Sequence, residues 1–310
     1  MPDGTHTFSM RATDVAGNTD ATPENYTFVV DATAPVVSIS SPTGEATFVT
    51  ADATIALGGV AFDAGSQTSV AWSNAANGAF GPATGNPNWS EAAIPLAEGS
   101  NLITVTATDA VGNTSTATID VTRDNAGPNV SIVLPSASGT YYTAQGSVLL
   151  TGLASDPTGV AFVTWSNPTI GSAGPADGYE NWSVSLIPLV PGANTIIITA
   201  TDGVDNTNTD TITVTRDSEA PSVAISAPTS APTFDTTDAS IQLAGIAADN
   251  LGLESVRWSN ATNGSSGFAA NPSMWSTTMI QLVPGANEIT VTATDVVGQT
   301  QTDTIMITRN

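Results

Sequence analysis

The chain has 310 residues, 40% of them hydrophobic, so it can bury more than one core. Only 11% are charged, and 28 acids face 5 Arg and no Lys; the net charge of −23 argues against nucleic acid or an anionic membrane as partner. The absence of Cys excludes disulfides, thiolate metal sites and cysteine nucleophiles, and no run approaches the 18 apolar residues of a membrane-spanning helix.

The N-terminus, MPDGTHTFSM, has neither the basic start nor the apolar run of a signal peptide, so an export signal is expected elsewhere. Residues 1–31 hold two alternating runs, Phe8, Met10 and Ala12, then Tyr26, Phe28 and Val30, around the turn sequence ATDVAGN. They predict a hairpin whose apolar face has no strands to pack on, or which borrows contacts from the unit that follows. Residues 32–124 form a full unit. Val36 to Ile39 begins a strand; Ile55 and Leu57 share one face. Val60 breaks that alternation beside Gly59, which predicts a β-bulge there. Val70 and Trp72 are the next inward pair, and a further segment runs from Trp89 to Leu96. In the last two strands Ile103, Val105 and Ala107, then Ile119 and Val121, alternate with Thr, the period-two signature of a half-buried strand.

The unit then repeats. Trp72, Trp165 and Trp258 lie 93 residues apart, as do Trp89, Trp182 and Trp275, and Pro35, Pro128 and Pro221. The following units are 125–217 and 218–310, and residues 1–31 match only the end of one, so the chain reads as part of a longer array. Gly59, Gly152 and Gly245 recur at the expected bulge. About seven short strands per unit with an inward Trp predict an all-β fold of tandem immunoglobulin-like antiparallel β-sandwiches in an elongated array.

The stretch VAWSN…NWSEAAIPLAEGSNLITVTATDAVGNTSTATIDVTR resembles bacterial immunoglobulin-like repeats of large surface adhesins, and is similar to the repeats called glucodextranase-like domain B. The resemblance spans nearly the whole chain. It implies a secreted or cell-surface protein, non-catalytic and monomeric, whose partners are neighbouring repeats and, through other domains, host-surface or matrix glycans.

Aspartates recur at three places per unit. In an immunoglobulin-like topology the incoming linker and the loops after the second and sixth strands lie at one end, which groups Asp31, Asp63 and Asp109; Asp124, Asp156 and Asp202; and Asp217, Asp249 and Asp295. Two readings stand. Asp at a turn bonds its own backbone, so each residue can be turn punctuation alone. Alternatively, three converging carboxylates repel unless a cation lies between them, and calcium takes six to eight oxygens. Adhesin repeats of the type resembled often hold calcium at interdomain joints, which implies that role for these nine residues. Gln299 replaces Asn113, and Asn310 replaces Asp124, in the last unit.

Other chemistry is sparse. His6 is the single His, so nucleophile–base pairs are nearly excluded. Two carboxylates can cleave a glycoside, but three near-identical acidic sets in small sandwiches argue against it. Trp72, Trp165 and Trp258 sit on the inward phase. Trp89, Trp182 and Trp275 can pack under the sandwich or present a platform for sugars; exposure of that set would favour an accessory carbohydrate-binding or spacer module of a secreted glycoside hydrolase, and burial the stalk of an adhesin.

Overall fold

The computed structural model describes residues 1–64 and 67–310. It divides into two compact units, Met1–Gly127 with Gly203–Asn206, and Pro128–Asp202 with Thr207–Asn310. Among the described residues no helix is long and apolar enough to cross a membrane.

The first unit opens with the expected hairpin, β1 (Gly4–Met10) against β2 (Glu24–Val30), in register from Gly4 opposite Val30 to Met10 opposite Glu24. Phe8, Met10 and Tyr26 are all more than half exposed. The sandwich that follows runs through β3 (Val36–Ser41), β4 (Thr47–Thr50), β5 (Thr54–Phe62), β6 (Ser69–Asn74), β7 (Phe80–Pro82), β8 (Asn88–Pro95), β9 (Gly99–Thr108) and β10 (Thr114–Arg123). One sheet is β3-β5-β8 and the other β4-β10-β9-β6-β7. Its inward phase is as expected: Ile103, Val105, Ala107 and Val121 are fully buried, and Trp72 and Trp89 join the same core.

Two details differ from the sequence reading. The sheets are not purely antiparallel, because β4 runs parallel to β10. The bulge lies opposite Gly59 and not on it: Ile39 pairs with Gly59 and Ser41 with Gly58, so the extra residue is Ser40 on β3, and a second break falls at Ile55/Leu57. The alternation also continues through Gly59 to buried Ala61, which leaves Val60 facing solvent. The glycine is there for close approach. A Cβ on Gly59 would lie 1.9 Å from the Ser38 carbonyl oxygen and 3.0 Å from the Trp89 ring.

The second unit holds two further sandwiches. The earlier comprises β11 (Asn129–Leu134), β12 (Thr140–Thr143), β13 (Ser147–Ser155), β14 (Val160–Asn167), β15 (Ser172–Pro175), β16 (Asn181–Pro188), β17 (Gly192–Asp202) and β18 (Thr207–Arg216), with sheets β11-β13-β16 and β12-β18-β17-β14-β15. The later comprises β19 (Ser222–Ala227), β20 (Thr233–Thr236), β21 (Ser240–Ile241), β22 (Ala244–Ala248), β23 (Leu253–Asn260), β24 (Ser266–Phe268), β25 (Ile280–Gln281), β26 (Gly285–Asp295) and β27 (Thr300–Arg309), with a 3-10 turn at Pro272–Met274. Its smaller sheet is split into β19-β22 and β21-β25. At the split, buried Thr277 accepts the Leu243 N–H at 3.0 Å on its hydroxyl, a side chain doing the work of a ladder bond.

Each sandwich also buries an Asn pair. Asn101 is fully buried: its Oδ1 accepts from Ala97 N (2.8 Å) and Asn74 Nδ2 (2.9 Å), and its Nδ2 donates to the carbonyls of Ala97, Gly99 and Val121. Asn194 and Asn287 repeat the arrangement. A buried amide satisfied on both ends ties the turn before β9 to the strand after it.

Candidate metal centres

The linker into each sandwich and the turns after its second and penultimate long strands supply the aspartates. In the first unit, Asp31 follows β2, Asp63 follows β5 and Asp109 opens the β9–β10 turn; a carboxylate oxygen of each lies within 4.8 Å of the others. Asp109 is buried and its Oδ1 accepts the N–H groups of Val111 (3.0 Å), Gly112 (2.7 Å) and Asn113 (2.8 Å). Its Oδ2 accepts from Asn113 Nδ2 at 2.7 Å. Burial by itself pushes the Asp109 carboxyl up, but the Asn113 side-chain bond and the backbone N–H groups together hold it below the usual range. Asn113 Nδ2 also reaches the carbonyls of Asp31 (3.2 Å) and Thr33 (3.4 Å), clipping the turn to the linker. Asp3, which sequence reasoning passed over, caps that linker by accepting from Ala32 N (2.9 Å) and the Thr33 hydroxyl.

In the second unit, Asp217, Asp249 and Asp295 form the matching group, again within 4.8 Å. Each spends one oxygen on its own turn: Asp217 Oδ1 accepts Glu219 N (3.1 Å), Asp249 Oδ1 accepts Leu251 N and Gly252 N (both 2.9 Å), and Asp295 Oδ1 accepts Val297 N (2.9 Å) and Gln299 N (2.8 Å). The other oxygen of all three, Oδ2, is buried with no hydrogen-bond partner. Asp217 and Asp295 are fully buried. Three carboxylates this close repel by roughly 3 kcal/mol for each pair at an effective dielectric of 20. The neighbouring Arg216 donates its Nη1 to the Leu189 carbonyl at 3.2 Å. The donor set fits a hard cation. Calcium–oxygen bonds near 2.4 Å place two ligands up to about 4.8 Å apart across the ion.

Of the remaining group, Asp156 and Asp202 come together in the second unit. Asp156 Oδ1 accepts from Thr158 N and Thr158 Oγ1, both at 2.8 Å, and Asp202 is buried. Asp124 belongs to the first unit, where its N–H donates to Thr50 O (2.9 Å), its Oδ1 accepts Ala126 N (3.1 Å) and its carbonyl accepts from Asn206 Nδ2 (2.9 Å).

The remaining candidates are structural. Trp89, Trp182 and Trp275 are 2%, 2% and 1% exposed, so this set offers no sugar platform. His6 stacks on Phe28 at 5.8 Å between ring centroids and sits 2.7 Å from the Pro2 carbonyl.

A family model described as bacterial Ig-like domain (group 3) matches residues 1–119. No curated protein matches the chain. Among solved structures, the chain is similar to a tetra-tandem repeat from the extending region of a large adhesion protein, with 21% identity, 99% of this chain and 82% of that one covered, and a TM-score of 0.35. A structure described for host cell surface retention of a 1.5-MDa bacterial ice-binding adhesin gives 16% identity, coverage of 89% and 98%, and a TM-score of 0.41. Fibronectin(III)-like modules of Clostridium thermocellum CbhA give 17%, 59% and 94%, and 0.36. The sheets define tandem immunoglobulin-like β-sandwiches, and the family match falls on residues 1–119.

Proposed function

We propose that this chain is a non-catalytic extender segment of a bacterial adhesin, secreted or held at the cell surface, with calcium stiffening the joints between its sandwiches. The observation that carries the reading is the trio of buried, unpartnered oxygens on Asp217, Asp249 and Asp295. Turn chemistry accounts for one oxygen of each residue and leaves the second without a role. A calcium ion gives all three a partner and removes the repulsion. The family match to residues 1–119 and the 93-residue repeat support the extender role, and the burial of the Trp89 set speaks against the accessory carbohydrate-binding reading.

In this reading the linker aspartate and the two turn aspartates belong to adjoining sandwiches, so one ion fixes the angle between them. Extracellular modules bind calcium with Kd of about 10⁻⁴–10⁻³ M, which suits an exterior rich in the ion. Small-angle scattering of the full chain in about 10 mM calcium and then in excess chelator tests it. The expected result is a longer, better-defined maximum dimension with calcium and a broader distribution without it. Superimposable curves in the two buffers would remove the joint role.

A further inference from the structure

The turn that closes each centre ends on an amide side chain, and that residue differs between the Asp109 and Asp295 centres. Asn113 and Gln299 occupy the same place: each backbone N–H donates to the aspartate Oδ1 at 2.8 Å, and each carbonyl accepts the aspartate N–H, at 3.1 Å for Asp109 and 3.0 Å for Asp295. The turns match, and the side chains do not. Asn113 is short, so its Nδ2 falls on Asp109 Oδ2 at 2.7 Å. Gln299 is one methylene longer. Its Nε2 donates to the Glu219 carbonyl at 2.9 Å, and Asp295 Oδ2 stays buried and unpartnered.

We infer that this amide sets the cation affinity of each centre: Asn113 attenuates the first by occupying a lone pair of Asp109, and Gln299 frees Asp295 to make the third the tighter site. The inference rests on the calcium reading above. A charge-assisted N–H bond to a carboxylate oxygen competes directly with a cation for the same electron density, and its removal leaves that oxygen to the ion. Asp3 does not offset the difference, because both its oxygens are engaged by Ala32 and Thr33. The single extra methylene therefore grades the joints. As calcium falls, the joint before the first sandwich is released before the one preceding the third.

Calorimetric titration of the full chain with calcium chloride tests this, using the wild type, Gln299→Asn, Asn113→Gln and Asp295→Asn. The expected wild-type isotherm has one tight site and weaker ones. Gln299→Asn weakens the tight site about tenfold with an unchanged far-UV circular dichroism spectrum, and Asn113→Gln tightens one weak site by a similar factor. Should Gln299→Asn not fold, Asn113→Gln decides alone. If Asp295→Asn abolishes the tight site while neither amide exchange moves any affinity, the amide has no such role and the calcium reading stands. If the wild type takes up no calcium at about 10 mM, ten or more times the Kd usual for extracellular modules, both readings fall.

Discussion

The hairpin β1–β2 and the hairpin β9–β10 carry nearly the same turn sequence, ATDVAGN and ATDAVGN, yet only one of them lies in a core. The turns are built alike. Asp14 Oδ1 accepts Ala16 N and Asn18 N, and Asp14 Oδ2 accepts Asn18 Nδ2, all at 2.9 Å, as Asp109 does from Val111, Asn113 and the Asn113 side chain. The Asp14 carboxyl is likewise held below its usual range, first by the Asn18 side chain and then by the backbone N–H of Asn18. Among the described residues, however, Asp14 belongs to no group of three or more acidic side chains. Turn chemistry is therefore sufficient reason for an aspartate at this position. It is no reason for Asp63 or Asp249 to converge on it.

The same contrast separates local sequence from burial. Phe8 and Met10 stand on β1 where Ile103 and Val105 stand on β9, counted back from the shared turn, yet they are 60% and 63% exposed and the β9 residues are fully buried. Alternation makes the strand; the opposing sheet supplies the stability, about 1.5–3 kcal/mol for each large apolar side chain fully buried.

Two substitution pairs sharpen this comparison. The largest effect belongs to Trp89→Ala, which empties the core of the first sandwich and should cost it about 3–5 kcal/mol. Phe8→Ala in the hairpin should stay within about 0.5 kcal/mol. Scanning calorimetry checks both, and equal losses would mean the hairpin face is covered in solution. A smaller effect follows from the buried amide. Asn101→Ala strands the Ala97 N–H and several carbonyls and should cost about 2–3 kcal/mol. His6 holds the corresponding place relative to Gly4, as Asn101 does to Gly99, and His6→Ala should change urea stability by less than about 0.5 kcal/mol.

Much of the fold was legible because its signals are periodic. The Thr-alternated apolar runs placed the inward Ile103 and Ile119 series and the hairpin. What escaped depends on partners distant in sequence. Asn101 gives no local sign of its role, which comes from Asn74 and Val121 closing around it. Gly59 reads as a bulge, whereas its absent side chain is demanded by the Ser38 backbone and the Trp89 ring. The parallel β4–β10 pairing leaves no local trace in TFVT. At the centres, topology and repetition sufficed to bring Asp31, Asp63 and Asp109 together, and Asp217, Asp249 and Asp295 together. Which oxygen each turn consumes, and which it leaves bare, is set by the folded turn and leaves no mark in the sequence.

The most direct test of that bare oxygen is the melting of the full chain in calcium and in chelator, repeated with Asp217→Asn/Asp295→Asn. At about 10 mM calcium, a site with Kd of about 10⁻⁴–10⁻³ M adds about 1.4–2.7 kcal/mol. For a sandwich of this size, that is a rise of about 5 °C or more. The prediction is such a rise in one transition of the wild type, lost from that transition in the double variant. A melting profile indifferent to calcium, or a rise in that same transition that survives the double substitution, would contradict a cation held by these aspartates.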